Sequence, residues 1–421
     1  MNAYIEKAQG ILRANDKGGY TVPTARLYPF QWNWDSAFVA MGWQTFDEAA
    51  AWREVESLLK GQWDDGMVPH IVFHTASDQY FPGPDVWGTH HAPSTSGITQ
   101  PPVLASAVAR LVANARDKGL AEAKGAAIYR QLLANHRWWS RARDPLQTGL
   151  VAVLHPWETG MDNSPAWDTA FARVPTNTTT VVKRRDTSHV DAGHRPHNID
   201  YQRFIHLVDC YRDAGWDPAR MWQVAPFKVV DVSINAILAR AEVDLLGLAA
   251  RFGTAAEQAE IAKRATCMKQ ALATLWQPKL GLFGSRDLIA DAPIEVATSA
   301  GFLPLYADAA NAAQAAQMGA TLDRWRSQVD VLVPSTPPES PAFEALRYWR
   351  GPVWAVVNWM IADGFARAGD AVHAQQISAS TRSAIEQAGF GENFDPLSGA
   401  AGGGGTFSWT AAIYLLLAEK D

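Results

Sequence analysis

Apolar residues recur along this chain at three- and four-residue steps. Over residues 229–252, Val230, Ile234, Ile237, Ala241, Leu245 and Leu248 form one stripe, which predicts an amphipathic α-helix. Residues 254–276 follow at once, and Thr254 with Glu257 three positions on reads as a capping box that opens a second helix. Leu104 to Val112, Ala121 to Trp139, Val353 to Ala368 and Ala371 to Ala388 repeat the pattern. The segment from Phe407 to Glu419 is apolar nearly all round, as a helix buried inside a large core must be. Strand patterning is scarce, and Val329 to Val333 is one short candidate. Twelve helices are expected, starting near 36, 47, 98, 121, 199, 229, 254, 295, 310, 351, 370 and 406. They are read as successive pairs in one closed double ring. No linker-like break divides residues 1–421, so a single domain is expected.

Two stretches lack periodicity, about 64–97 and about 148–197. Loops this long inside a packed chain are usually functional or disordered. These hold Trp, His, Tyr and Phe, so they are read as the walls of a pocket at one end of the ring. Composition narrows the rest. Hydrophobic residues are 48% and charged residues 19%, with a net charge of −6. That balance offers no basic footprint for nucleic acid, and no apolar run is long enough to span a membrane. Two cysteines, Cys210 and Cys267, make no disulfide framework, and the N-terminus has no signal-peptide core. A cytoplasmic enzyme is expected. Eighteen tryptophans, five of them between Trp32 and Trp63, suit a carbohydrate site, where indole faces stack on sugar rings.

Four segments carry possible chemistry. HPWETGMDNSPAWD, residues 155–168, places Glu158, Asp162 and Asp168 on an irregular stretch flanked by Trp157 and Trp167. GENFDPLSGAAGGGGTFSW, residues 391–409, places Glu392 and Asp395 in a turn before four consecutive glycines. Hydrolysis of a glycoside needs two carboxyl groups flanking the bond, and these segments supply a pair. The plain alternative is that such acids cap helices or bond turn backbone. RYWRGPVW, residues 347–354, sets Tyr348 and Trp349 before a Gly351-Pro352 helix start, with core packing as the alternative. FQWNWDSAF, residues 30–38, holds Trp32, Trp34 and Asp35, and Asp35 doubles as a possible N-cap. Histidines cluster at His90, His91, His189, His194 and His197, but no HExxH and no Cys pair accompanies them, so no metal is expected. No phosphate-binding loop or GxSxG elbow appears.

FQWNWDSAF, ETGMDNSPAWD, RYWRGPVW and GENFDPLSG, in that order, resemble glycoside hydrolase family 63. They are most similar to its small bacterial members that hydrolyse mannosylglycerate and glucosylglycerate. ETGMD also resembles the ESGWD segment of trehalases. The matches run from about residue 28 to 410. The resemblance implies an all-α (α/α)6 toroid, inversion of configuration and no cofactor. It implies Asp162 as general acid and Glu392 as general base. It also implies substrate contacts from Trp34, Asp35 and Gln100, and Trp32, Trp157 and Glu158 are expected beside them from the motifs they stand in. An aromatic wall of Tyr348, Trp349, Gly351 and Trp354 is implied as well. Arg195 and Tyr201 resemble a pair that grips a glycerate carboxylate. Residues 176–197 match no family segment, and they carry Lys183, Arg184 and Arg185. Burial of Asp162 among Trp157, Met161 and Trp167 is expected to keep it protonated. Backbone N–H groups of the glycine run are expected to help keep Glu392 charged. The expected partner is one small carbohydrate, a glycosylglycerate ahead of a neutral α-glucosyl disaccharide. Two other readings stand beside it: a sugar epimerase or isomerase using paired histidines, and a non-catalytic sugar-binding protein.

Overall fold

The computed structural model describes residues 3–25, 27–188 and 190–419. Six segments pack side by side and close on themselves: Asn33–Gln44, Leu104–Ala113, Val232–Phe252, Ser299–Leu305, Ala355–Arg367 and Ser408–Ala418. Each touches the next, and the last returns to the first. Six further helices form a second layer: Ala3–Asn15, Glu48–Leu59, Lys118–Arg143, Ala255–Ala273, Ala312–Arg326 and Ala371–Ala388. This is the (α/α)6 toroid. Burial follows the layers. All twelve residues of Asn33–Gln44 are buried, as are the first ten of Ser408–Ala418, whereas Ala255–Ala273 buries Glu257, Ile261, Met268 and Leu272. An inner helix is surrounded by neighbours and reads as apolar all round, while an outer one needs a single stripe.

The expected helices lie within a few residues of those found, with four differences. The segment expected from 295 is a short 3-10 turn, Ser299–Leu305, because Pro304 inside it cannot continue an α-helix. It still takes a full place in the inner ring. The helix Asn198–Asp213 stands apart from the two rings, and its Phe204 packs on His155, Trp157 and Phe171. The missing outer member is Ala3–Asn15, which the sequence pattern did not reveal, and it packs against the final helix. Residues 329–333 form no strand. The backbone N–H groups of residues 330–333 go to Pro396 O and to the side chains of Ser380 and Asn358 instead of a ladder.

The two irregular stretches and the 391–407 segment gather over one end of the ring. A three-stranded antiparallel sheet of Gln31–Trp32, Ile71–Phe73 and Ser94–Thr95 ties the first stretch to the start of Asn33–Gln44. The second is pinned by the bridge Val153–Val229 and by Asn235, whose side chain bonds Val151 N and O. Asn393–Phe394 pairs with Ala401–Gly402, and Phe394 also exchanges both backbone bonds with Val353. Among the described residues no helix is long and apolar enough to cross a membrane.

Candidate active site

These loops line one polar cavity at the mouth of the ring. Its floor begins with Trp34 and Asp35, in the first turn of Asn33–Gln44. Asp35 is not the N-cap, since the helix begins at Asn33, and its carboxyl faces the cavity instead. Burial, then the charges of Glu392 and Glu54, push Asp35 well above the usual carboxylate range. Gln100 joins it and accepts the Trp34 N–H at 3.4 Å.

Asp162 follows the turn Pro156–Thr159, which His155 caps by accepting the Trp157 N–H. Gly160 ends that turn at φ +69, and a Cβ there would lie 2.6 Å from the Trp34 ring. No other residue gives both that backbone and that clearance. The segment beyond is held rigidly: Trp167 Nε1 donates to Met161 O, and Asn163 accepts the Trp349 N–H. Burial is the main force on the Asp162 carboxyl. The Arg195 cation opposes it and the Glu392 charge adds to it, and the outcome is a pKa pushed up to about 8. Trp157 lines the cavity, but Glu158 beside it turns inward. It pairs with buried Arg143 at 2.5 Å and accepts the Leu154 N–H, so it fixes the turn and does not line the cavity.

Glu392 sits opposite on the other loop, 1% exposed. Its Oε1 accepts the Tyr28 hydroxyl at 2.9 Å and the Tyr348 hydroxyl at 3.2 Å, and its Oε2 lies 3.3 Å from Arg195 Nη1. Burial raises its pKa, and the Arg195 charge with these three donors limits the rise without cancelling it. The carboxylate is therefore held by side chains, not by N–H groups of the glycine run as the sequence suggested. The glycines matter through space. A Cβ on Gly403, at φ +72, would stand 2.2 Å from Glu392 Oε2.

Tyr348 reaches the cavity from a strained backbone, φ +39. Trp349 and Trp354 stack face to face at 3.8 Å behind it, and neither lines the cavity. Gly351 is also behind, where a Cβ would meet Glu344 O at 2.4 Å. Trp32 lines the cavity, as do Arg195 and Tyr201. Arg195 is 4% exposed, and its cation lies 4.2 Å from the Tyr348 ring. Its Nη2 donates to Tyr28 and its Nε to Asp186. Of the fourteen residues named from sequence, the cavity brings ten together; Glu158, Trp349, Gly351 and Trp354 lie outside its lining.

Sequence reasoning missed Tyr28, His70, Tyr80, Asp186, Phe407 and Trp409, all of which line the cavity. His70 ends the DDGMVPH segment, and Tyr28 stands two residues before FQWNWD, so both adjoined visible signals. Asp186 lay in the second irregular stretch, outside the four segments read as carrying chemistry. Of the clustered histidines, His189 lies outside the described residues, and His90, His91, His194 and His197 do not line the cavity. Among the described residues no group of three His, Cys, Asp or Glu side chains is placed to hold a metal ion.

Comparison with known proteins agrees with this fold. Residues 28–410 match the family model of the mannosylglycerate hydrolase MGH1-like glycoside hydrolase domain. Mannosylglycerate hydrolase MGH1 of Selaginella moellendorffii is 47% identical, over 98% of this chain and 84% of its own length. Mannosylglycerate hydrolase of Thermus thermophilus is 46% identical, over 97% of this chain and 99% of its own. The crystal structure of a GH63 mannosylglycerate hydrolase from Thermus thermophilus in complex with Tris superposes with a TM-score of 0.96. It is 46% identical and covers 98% of this chain and 99% of that one. With that fold, that cavity and matches along nearly its whole length, this chain belongs to the MGH1-like glycoside hydrolases of family 63.

Proposed function

We propose that this chain is an inverting α-glycosidase acting on a glycosylglycerate, α-mannosylglycerate ahead of its glucosyl counterpart, with Asp162 as general acid and Glu392 as general base. The observation that carries this reading is one cavity holding two buried carboxyl groups, of which Glu392 is bonded by Tyr28, Tyr348 and Arg195 while burial pushes Asp162 up to about 8. Asp162, raised to about 8, keeps its proton at neutral pH and gives it to the leaving oxygen. Glu392, backed by Tyr28, Tyr348 and Arg195, is the better placed to stay ionised and take a proton from water. Inversion requires room for that water, so the two carboxyl groups should stand roughly 6.5–9.5 Å apart in the working complex.

Trp32, Trp34 and Trp157 offer indole faces to a sugar ring, and Asp35 and Gln100 offer hydroxyl partners. A guanidinium has five N–H donors. Arg195 directs three of them, to Glu392, Tyr28 and Asp186, which leaves two for a carboxylate on the aglycone beside Tyr201. Trp349, Gly351 and Trp354 back Tyr348, and Glu158 fixes the acid-bearing turn. No cofactor enters this chemistry. One catalytic domain spans residues 1–421, and the two unpaired cysteines fit a cytoplasmic setting. Among the described residues His70 is the one histidine lining the cavity, so the paired-histidine epimerase reading has no support.

The test is a panel of α-mannosylglycerate, α-glucosylglycerate and a neutral α-glucosyl disaccharide, with early-time NMR of the released sugar. Turnover of a glycosylglycerate with the β-anomer formed first is expected. Turnover of the neutral disaccharide alone overturns the substrate, and a first-formed α-anomer overturns inversion.

A further inference from the structure

Asp186 begins a 3-10 turn, Asp186–Ser188, in the second irregular stretch. It is 9% exposed and lines the cavity. Its carboxylate receives a fork from Arg184, Nε at 3.0 Å and Nη2 at 2.7 Å. The Tyr201 hydroxyl also donates to it, and Arg195 Nε approaches at 3.4 Å. Arg184 is itself fixed, by Pro196 O and Asn198 at 2.8 Å each and by the face of the Tyr201 ring at 4.1 Å. Burial works against the Asp186 charge, but the two guanidinium groups and the Tyr201 hydroxyl outweigh it and hold the carboxyl below its ordinary range. Asp186 is thus a permanent anion on a rigid mount.

Arg195 stands between that anion and Glu392. Its Nε faces Asp186, while Nη1 makes a single 3.3 Å approach to Glu392. A lone Arg–carboxylate pair tends to close into a two-pronged contact, which holds the carboxylate strongly ionised and weakly basic. We propose that Asp186 is a positioning residue that divides the Arg195 guanidinium between itself and Glu392, holding the cation off the base. This rests on the catalytic roles proposed above. In that arrangement Glu392 keeps enough basicity to accept a proton from water. The negative charge of Asp186 also helps Asp162 retain its proton, adding to the push from Glu392.

The other charged or titratable groups facing this cluster are Tyr80, Tyr28 and Tyr348, each pushed up by burial, and Asp35, which faces Glu392. None of them replaces the anion that Asp186 supplies. Asp186→Asn keeps the shape and removes the charge. Arg195 is then free to close on Glu392, so the base loses proton affinity and the acidic limb of the rate profile moves to lower pH. Asp162 loses a neighbouring anion, so its basic limb moves to lower pH as well.

The experiment is the pH profile of kcat/KM on the glycosylglycerate that the wild type hydrolyses, for wild type, D186N and D186E. Both limbs of D186N are expected to shift about one pH unit toward acid, a typical effect of one neighbouring charge. At pH 8 such a shift costs about fivefold in rate, because the protonated fraction of the acid falls from half to about one-tenth. D186E should keep the wild-type limbs even where its kcat is reduced. A D186N profile lowered at every pH with its limbs unmoved overturns the proposal and makes Asp186 structural, as does D186E shifting with D186N. Circular dichroism of both variants separates misfolding from either result. The substrate panel on the wild type separates failure of the catalytic reading from failure of this one.

Discussion

At the residue scale the site depends on a division between two carboxyl groups. Asp162→Asn and Glu392→Gln should each lower kcat by roughly 10²–10⁴-fold, the range for removing a general acid or base, with the circular dichroism spectrum unchanged. Near-wild-type turnover by either variant would remove that residue from the mechanism. The acid's raised pKa also has a thermodynamic face. Folding disfavours its charged form, so the cost to stability is absent below about pH 4, the ordinary carboxylate value, grows as pH rises, and is full above about 8. Asp162→Asn removes that cost. Its melting temperature should match wild type near pH 4 and exceed it at pH 8; equal values at pH 8 would show that the site holds no such strain. Gly403→Ala tests the space beside the base. Its Cβ would collide with the Glu392 carboxylate and its φ is left-handed, so kcat should fall at least tenfold, about 1.4 kcal/mol, in a folded protein. Unchanged turnover would mean that the loop yields. At this scale the sequence was legible where motif and cavity coincide, as at Trp34, Asp35, Asp162 and Glu392. It was not legible at Asp186, whose proposed role depends on Arg195 and Tyr201 converging on it and on its neighbour Arg184 in space.

At the element scale, periodicity revealed the helices that bury a clear stripe, and it failed where burial is thin. Ala3–Asn15 buries Ala8, Leu12 and Asn15, too few apolar positions to announce a helix. Its place is secured by a polar contact instead: Asn15 Nδ2 donates to Ser408 Oγ at 2.9 Å and to Thr406 O at 3.0 Å. Those bonds anchor the end of the glycine segment whose Gly402 pairs with Glu392. Asn15→Ala leaves buried partners unsatisfied and should cost about 1–3 kcal/mol in chemical denaturation. It should also lower kcat while leaving KM nearly unchanged, because it loosens the base and not the sugar-binding floor. A loss of stability with wild-type kcat would show that the two ends of the segment are independent. The strand expected at 329–333 failed for a related reason. Its β-branched residues suit a ladder, but Pro396 O, Ser380 and Asn358 claim the N–H groups of residues 330–333 first.

At the scale of the whole molecule, the regular rings supply rigidity and the irregular loops supply chemistry. Helix patterning therefore revealed the scaffold, while the cavity was visible only as two stretches without pattern. Ring closure has a kinetic consequence. The inner ring is completed by Ser408–Ala418, and that helix is covered on its outer side by Ala3–Asn15, almost four hundred residues earlier in the chain. Joining segments so far apart carries a large loop-closure entropy, so this contact should form late in folding. Until it forms, the most apolar helix of the molecule is open to solvent and to other chains. Tyr4 and Tyr414 lie with ring centroids 6.0 Å apart, so the start of the first helix lies beside the last helix. A circular permutant that joins them through a short glycine-serine linker and opens at the exposed residues near Leu146 turns the slowest contact into a local one. It should refold faster from denaturant, and with less aggregation, than the natural chain order; an unchanged refolding rate would place the slow step elsewhere in the ring.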